Sequence, residues 1–219
     1  MLADSNNVMN TGFMSKLILA RHGATPYNAQ GLWTGHIDVD MSEAGYDEVR
    51  QSAEFLASTG IDAAFCSTLR RARNTAAVIL SHQERPNIPL LSTELLDEKN
   101  YGVFTGRNKH EVQAEVGDDA FMLIRRSWDY EIEGGESLQA VHERVTSLHH
   151  GVIAPLLEAG QTVLVASHNN TLRAYVKEVE EIPVSDTPAI ELGTAEVRVY
   201  GYSAGAFELE SRQVVGSVH

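Results

Sequence analysis

Two apolar runs constrain this chain more than anything else in it. Residues 17–20 (LILA) and 162–166 (TVLVA) break off abruptly into Arg21-His22-Gly23 and Ser167-His168-Asn169-Asn170. Consecutive apolar, partly β-branched residues without alternation are expected of strands covered on both faces, as in a parallel sheet flanked by helices. In such sheets ligands bind in the crevice beyond the carboxyl ends of the strands, which is where both runs place a histidine. If the two strands are neighbours, the imidazoles of His22 and His168 meet. Arg21 brings a planar fork of donors that fits a phosphate or carboxylate, His22 can act as nucleophile or acid, and Gly23 lets the backbone come close to a ligand.

The rest of the chain alternates in the same style. Residues 28–40 read as a loop over the site. Ser42 is a candidate N-cap of a helix whose apolar face is Val49, Ala53, Leu56 and Ala57, ended by Gly60. A short strand over 62–67 follows, carrying Cys66 as a small core residue. The next helix spans 68–81, with Arg70, Arg71 and Arg73 crowded into its first turn. Cations there oppose the helix dipole, so the cluster points to an anion that compensates them. A third strand is expected over 88–92, then a loop over 94–106 with Asp97 and Glu98 as candidate acids, then short helices over 109–116 and 119–127. The clearest amphipathic helix carries Leu138, Val141, Val145, Leu148, Val152 and Leu156, with a break near Gly151 forced by Pro155. His142, His149 and His150 match no metal-ligand spacing and read as surface residues. A helix over 171–180 and an edge hairpin of 196–202 with 206–210 complete the chain.

No repeat or linker divides residues 15–219, which read as one domain, with 1–14 a disordered extension and Met9 or Met14 an alternative start. The alternation predicts a three-layer α/β/α sandwich around a mostly parallel sheet with an antiparallel edge strand. A formal net charge of −13 over 219 residues argues against nucleic acid or an anionic membrane as partner, so any anion site is a local island of cations. One cysteine leaves no intrachain disulfide and fits a reducing cytoplasm.

Five motifs in order resemble the histidine phosphatase superfamily: RHG at 21–23, SxxxRAxxTA from Ser67 to Ala76, Glu98 before YGxxTG at 101–106, GGESL at 134–138 and SHxNTLR at 167–173. LWTGHIDVDMSEAG, YGVFTGRNKHEV and RRSWD are further similar to the cofactor-dependent phosphoglycerate mutases. The resemblance covers about residues 16–203. It implies His22 as the residue that carries the phosphoryl group, Arg21 and Arg71 as bidentate holders of its oxygens, and His168 and Asn28 as further donors. Glu98 is implied as the acid and base. Thr34, Gly35, Tyr101, Lys109, Arg125 and Arg126, with Asn169 and Asn170, are implied to hold a phosphorylated glycerate.

The reaction so implied interconverts 3- and 2-phosphoglycerate in glycolysis and gluconeogenesis, with 2,3-bisphosphoglycerate as priming donor and no metal. The alternative is a broad-specificity phosphomonoesterase, and a homodimer is an admissible assembly. The chain departs from the mutase pattern in having Ala24-Thr25 for Glu-Ser, Lys99 for Arg, Asn100 for His or Tyr, and Asn169 for Gly. Asn adopts a left-handed backbone more readily than most residues, so the turn at Asn169 can survive. The short connection between Arg126 and Gly134 matches the short-form mutases.

Overall fold

The structure, a computed structural model, describes residues 15–85 and 87–217; the extension expected at 1–14 lies outside the described residues. Six strands form one sheet in the order β3-β2-β4-β1-β5-β6. Here β1 is Ser15–Arg21, β2 Ala63–Cys66, β3 Leu90–Ser92, β4 Val163–Ser167, β5 Val197–Ser203 and β6 Ala206–Gln213. The first four run parallel to one another, and β5, antiparallel to β1, closes the edge with β6 as an antiparallel hairpin.

Side chains of a strand alternate between faces, so β1 feeds two cores. Leu17 and Leu19 join Val163, Val165 and Phe65 beneath α6 (Leu138–Leu148) and α8 (Asn169–Val179). Ile18 and Ala20 join Leu164, Ala166 and Cys66 beneath α2 (Glu43–Leu56) and α3 (Arg70–Ser81). The three-layer sandwich anticipated from the alternation is the fold observed. A third, smaller cluster of Trp33, Tyr101, Val112, Phe121, Ile124 and Ile132 joins the loop after β1 to α4 (Lys109–Val116) and α5 (Asp118–Arg126). That cluster roofs the carboxyl end of the sheet.

Two local readings are corrected, and the break expected near Gly151 is found in a specific form. The stretch 28–40 is not wholly loop: Thr25 caps a single helical turn, α1 (Pro26–Ala29), in a reciprocal capping box with Asn28. Gly23 is required by packing, since a Cβ there would lie 2.2 Å from the Gly45 carbonyl oxygen of α2. The break near Gly151 is a π turn, His149–Ile153, followed by α7 (Ala154–Glu158) with Pro155 in its first turn. Pro155 cannot donate to the carbonyl four residues back, and the wider turn absorbs the defect. The extra residue moves the inward face by one position. Val152 is therefore exposed, Ile153 and Leu157 are buried, and His149, expected at the surface, is buried instead.

Candidate active site

The β1·β4 register pairs Arg21 with Ser167, and the next residue continues it: the His22 backbone N–H donates to the Ser167 carbonyl at 3.0 Å. His22 and His168 therefore stand side by side, ring centroids 5.1 Å apart and planes tilted by 59°. Their hydrogen bonds assign opposite roles to the two rings. His22 Nδ1 lies 2.8 Å from the Gly23 carbonyl oxygen, which can only accept, so Nδ1 carries the proton and Nε2 keeps its lone pair. Arg71 Nε donates to His168 Nδ1 at 3.1 Å, so that nitrogen is the acceptor and the proton sits on Nε2. The Nε2–H of His168 is buried with no partner among the described residues. One imidazole thus offers a nucleophilic nitrogen and the other a donor in want of an acceptor.

Both rings are held neutral. Burial, then Arg71 and Arg21, push the His22 pKa well below the usual imidazole range; burial, Arg71 and His22 do the same to His168. Arg71 is itself almost wholly buried, its pKa lowered to about 10 by desolvation. Its terminal nitrogens donate to the carbonyls of Ile37 (2.9 Å) and Gly35 (2.8 Å). One N–H on each is left, so any grip on an anion shares the guanidinium with the loop that roofs it. Arg21 donates to the Leu192 carbonyl, and its buried Nε–H has no partner among the described residues. Glu98 accepts the backbone N–H groups of Lys99 (2.8 Å) and Asn170 (3.2 Å) through a single oxygen, Oε1.

A pocket opens above these groups, and its wall contains His22, Arg21, Arg71 and Glu98 together with Asn28, Thr34, Gly35, Tyr101, Lys109, Arg125, Arg126, Asn169 and Asn170. The buried His168 lies against His22 behind that wall. All fourteen site residues that the resemblance implies therefore converge on one place. Lys109 opens α4, and burial, with Arg125 and Arg21 nearby, lowers its pKa to about 8. Arg125 and Arg126 end α5, where the helix dipole also favours cations. Asn169 opens α8 with an ordinary backbone, so no left-handed turn is needed, and its Oδ1 accepts the Leu192 N–H at 3.3 Å.

Other expectations do not reach the pocket. Of the three arginines at the start of α3, only Arg71 does. Arg70 is paired with Asp38, whose carboxylate also accepts the Arg70 backbone N–H at 2.7 Å and so covers the helix end, and Arg73 is exposed. Asp97 is committed to the turn after β2, accepting from Ser67 Oγ at 2.6 Å and the Thr68 backbone at 2.8 Å. Arg173 was missed as a wall residue. It lies on α8 one turn beyond Asn169 and Asn170, donates to Asn170 Oδ1 and to the Ile190 carbonyl, and leaves Nη2 unpartnered. The i, i+3 spacing from Asn170 was the available signal.

A parallel α/β sheet bearing a lone-pair histidine and a donor histidine at adjacent strand ends, with two buried arginines behind them, defines a histidine-centred anion site of the phosphoryl-transfer kind. The chain belongs to the histidine phosphatase superfamily (branch 1), whose family model matches residues 17–214. It is 38% identical over 201 residues to a 2,3-bisphosphoglycerate-dependent phosphoglycerate mutase of Methylobacterium sp. (strain 4-46), covering 91% of this chain and 96% of the relative. A protein of the same name from Nautilia profundicola is 35% identical over 216 residues, covering 86% and 94%. Among solved structures, a mycobacterial glucosyl-3-phosphoglycerate phosphatase complexed with VO3 superposes with a TM-score of 0.80 at 24% identity, covering 93% of this chain and all of that one. The Bacillus stearothermophilus protein YhfR gives 0.80 at 23% identity, covering 94% and 98%. These structural likenesses speak for the fold.

Proposed function

We propose that this enzyme interconverts 3-phosphoglycerate and 2-phosphoglycerate through a phosphohistidine at His22, primed by 2,3-bisphosphoglycerate. The observation that carries the reading is the placement of Lys109, Arg125 and Arg126 on the wall of the pocket that holds His22. A site that only removed phosphate from many esters would have little use for three cations beyond the phosphoryl cradle.

In this mechanism His22 Nε2 attacks phosphorus in line with the departing ester oxygen. A P–N bond forms as the P–O bond breaks, and the Nδ1 proton stays on its bond to the Gly23 carbonyl. His168 Nε2–H, Arg21 and the free N–H groups of Arg71 take up the charge on the phosphoryl oxygens. Glu98 as carboxylic acid gives its proton to the leaving alkoxide. As carboxylate it then accepts the proton of whichever hydroxyl attacks the phosphorus in return. Lys109, Arg125 and Arg126 hold the glycerate while it turns, so that its other hydroxyl, and not water, makes that attack.

The test is isomerisation of 3-phosphoglycerate with and without 2,3-bisphosphoglycerate, set against release of inorganic phosphate. Primed isomerisation should exceed phosphate release, and Arg125→Ala should cut it while sparing slow hydrolysis of an aryl phosphate. Ready hydrolysis of many esters without primed isomerisation would transfer the protein to the second reading, a phosphomonoesterase. One observation favours that reading: Arg126 is already ion-paired to Glu191, which withdraws part of the outer cationic charge.

A further inference from the structure

The Arg126–Glu191 pair lies at the boundary between two surfaces. Arg126 faces the pocket that holds His22, whereas Glu191 belongs to the loop between α8 and β5 and lines a separate open groove together with Arg198 and Arg212. The carboxylate therefore reaches Arg126 from behind the pocket wall and does not stand in the path of a ligand. Both side chains are sheltered, 14% and 29% exposed, so solvent screens the pair less than a fully exposed one, while burial and then Arg125 lower the Arg126 pKa. Among the described residues Glu191 is the ion-pair partner of Arg126, while Arg125 and Lys109 form no ion pair.

The position of Glu191 is fixed from several sides. The Leu192 N–H donates to Asn169 Oδ1 at 3.3 Å, and the Leu192 carbonyl accepts from Arg21. The Glu191 carbonyl accepts from Arg198 Nη2 at 3.2 Å. The loop that presents Glu191 is thus tied by Arg21 and Asn169 to the phosphoryl end of the same pocket. The pair is a built part of the site.

From this we infer that Glu191 is a specificity-determining residue: by holding and partly neutralising Arg126, it sets how much negative charge the outer pocket accepts. A ligand whose outer group carries one charge, such as a carboxylate, is served by Lys109 and Arg125. A ligand with a further phosphate must share Arg126 with Glu191 and meets that carboxylate's repulsion through the guanidinium. The inference rests on the proposal that the outer group is that of a phosphoglycerate, and it adds that this chain discriminates between mono- and bisphosphorylated glycerate.

Glu191→Gln tests it, because the amide keeps a hydrogen-bonding oxygen for Arg126 and loses only the charge, and the backbone bonds of the loop are untouched. Binding is measured by calorimetry in a His22→Asn background, where no phosphoryl group can move, for orthophosphate, 3-phosphoglycerate and 2,3-bisphosphoglycerate. The expected result is unchanged orthophosphate affinity, a gain of about threefold for 3-phosphoglycerate and about tenfold for 2,3-bisphosphoglycerate, as one partly screened charge at this depth would give. Equal gains for the last two ligands, no gain, or a loss would overturn the inference while leaving the proposed function standing. Orthophosphate binding without binding of either glycerate ester, in both proteins, would overturn the phosphoglycerate reading and the inference with it.

Discussion

Replacing Arg71 by lysine keeps the charge and removes the fork, which makes it the sharpest probe of how the site is built. Arg71 makes three directed bonds from a nearly wholly buried position: Nε to His168 Nδ1 (3.1 Å), Nη1 to the Ile37 carbonyl (2.9 Å) and Nη2 to the Gly35 carbonyl (2.8 Å). A lysine ammonium reaches one of these three acceptors, or two at poor angles, and leaves one or two of them bare. At about 1–3 kcal/mol for each buried group left without a partner, the expected loss of stability is about 2–4 kcal/mol. For a chain of this size that is a fall in Tm of about 5–15 °C. The chemical consequence is separate. Without the Arg71 donor nothing fixes the proton of His168 on Nε2, the nitrogen that faces a ligand, so turnover should fall about 10²-fold or more, the scale seen when one charge-stabilising donor is lost. Differential scanning calorimetry reads the first effect, ¹⁵N chemical shifts of His168 read the tautomer, and steady-state rates read the third. A variant with unchanged Tm, His168 still protonated on Nε2 and more than a tenth of the activity would refute the hydrogen-bond argument.

Three further outcomes are expected. Burial, with Arg125 and Arg21 nearby, lowers the Lys109 pKa to about 8, so this cation discharges as pH rises past that value; KM for 3-phosphoglycerate should climb above pH 8, and Lys109→Arg, which stays charged, should lack that limb. His149, buried with its pKa lowered to about 4, takes up a proton in the unfolded chain before it does so in the folded one. Its contribution is therefore complete above about pH 6.5 and lost as pH falls from there towards 4, at up to about 1.4 kcal/mol per pH unit. His149→Gln, which can still meet the Tyr175 hydroxyl, should flatten urea-melt stability over that window, and an unchanged slope would remove His149 from the acid response. In the β5–β6 turn, exposed Ala204 and Gly205 both have positive φ, +51° and +87°, which asparagine tolerates better than alanine. Ala204→Asn should stabilise by about 0.5–1 kcal/mol, seen as a Tm rise of a few degrees with turnover unchanged.

The parts of the site legible in the sequence are those fixed by strand ends. An apolar run that stops at a histidine already says which end of the sheet His22 and His168 occupy, and Lys109, Arg125 and Arg126 sit at helix ends that motif spacing identifies. What escaped notice depends on packing in three dimensions. The inward position of His149 comes from a π turn that inserts one residue into the helical frame; Pro155 announces a break near Gly151 but not the direction in which the frame shifts, so the repeat alone buries Val152 instead. Arg173 reaches the pocket wall because α8 presents that face to it, and its i, i+3 spacing from Asn170 gives only a face, not what that face meets. Gly23 was read as giving a ligand access, yet its missing Cβ makes room for Gly45, a contact 22 residues away in the chain.

The register between β1 and β4 is the step on which the chemistry depends, and it follows from burial on both faces. Leu17 and Leu19 must reach one core and Ile18 and Ala20 the other, with Val163 to Ala166 alternating in phase beside them. A slip of one residue would reverse every pairing, driving the β1 or β4 side chains to the wrong core. A slip of two would keep the faces but move His22 about 6.6 Å along the strand from its partner, at roughly 3.3 Å per residue. The observed register avoids both, and at the strand ends it leaves two rings 5.1 Å apart. Arg71 then arrives from the start of α3, which packs over β4 and β2, and breaks the symmetry between them, donating to His168 and so making it the donor, while the Gly23 carbonyl makes His22 the acceptor. Two chemically identical side chains acquire opposite functions from one guanidinium and one carbonyl. That asymmetry predicts that exchanging the partner of either ring, and not only removing a ring, is enough to abolish phosphoryl capture.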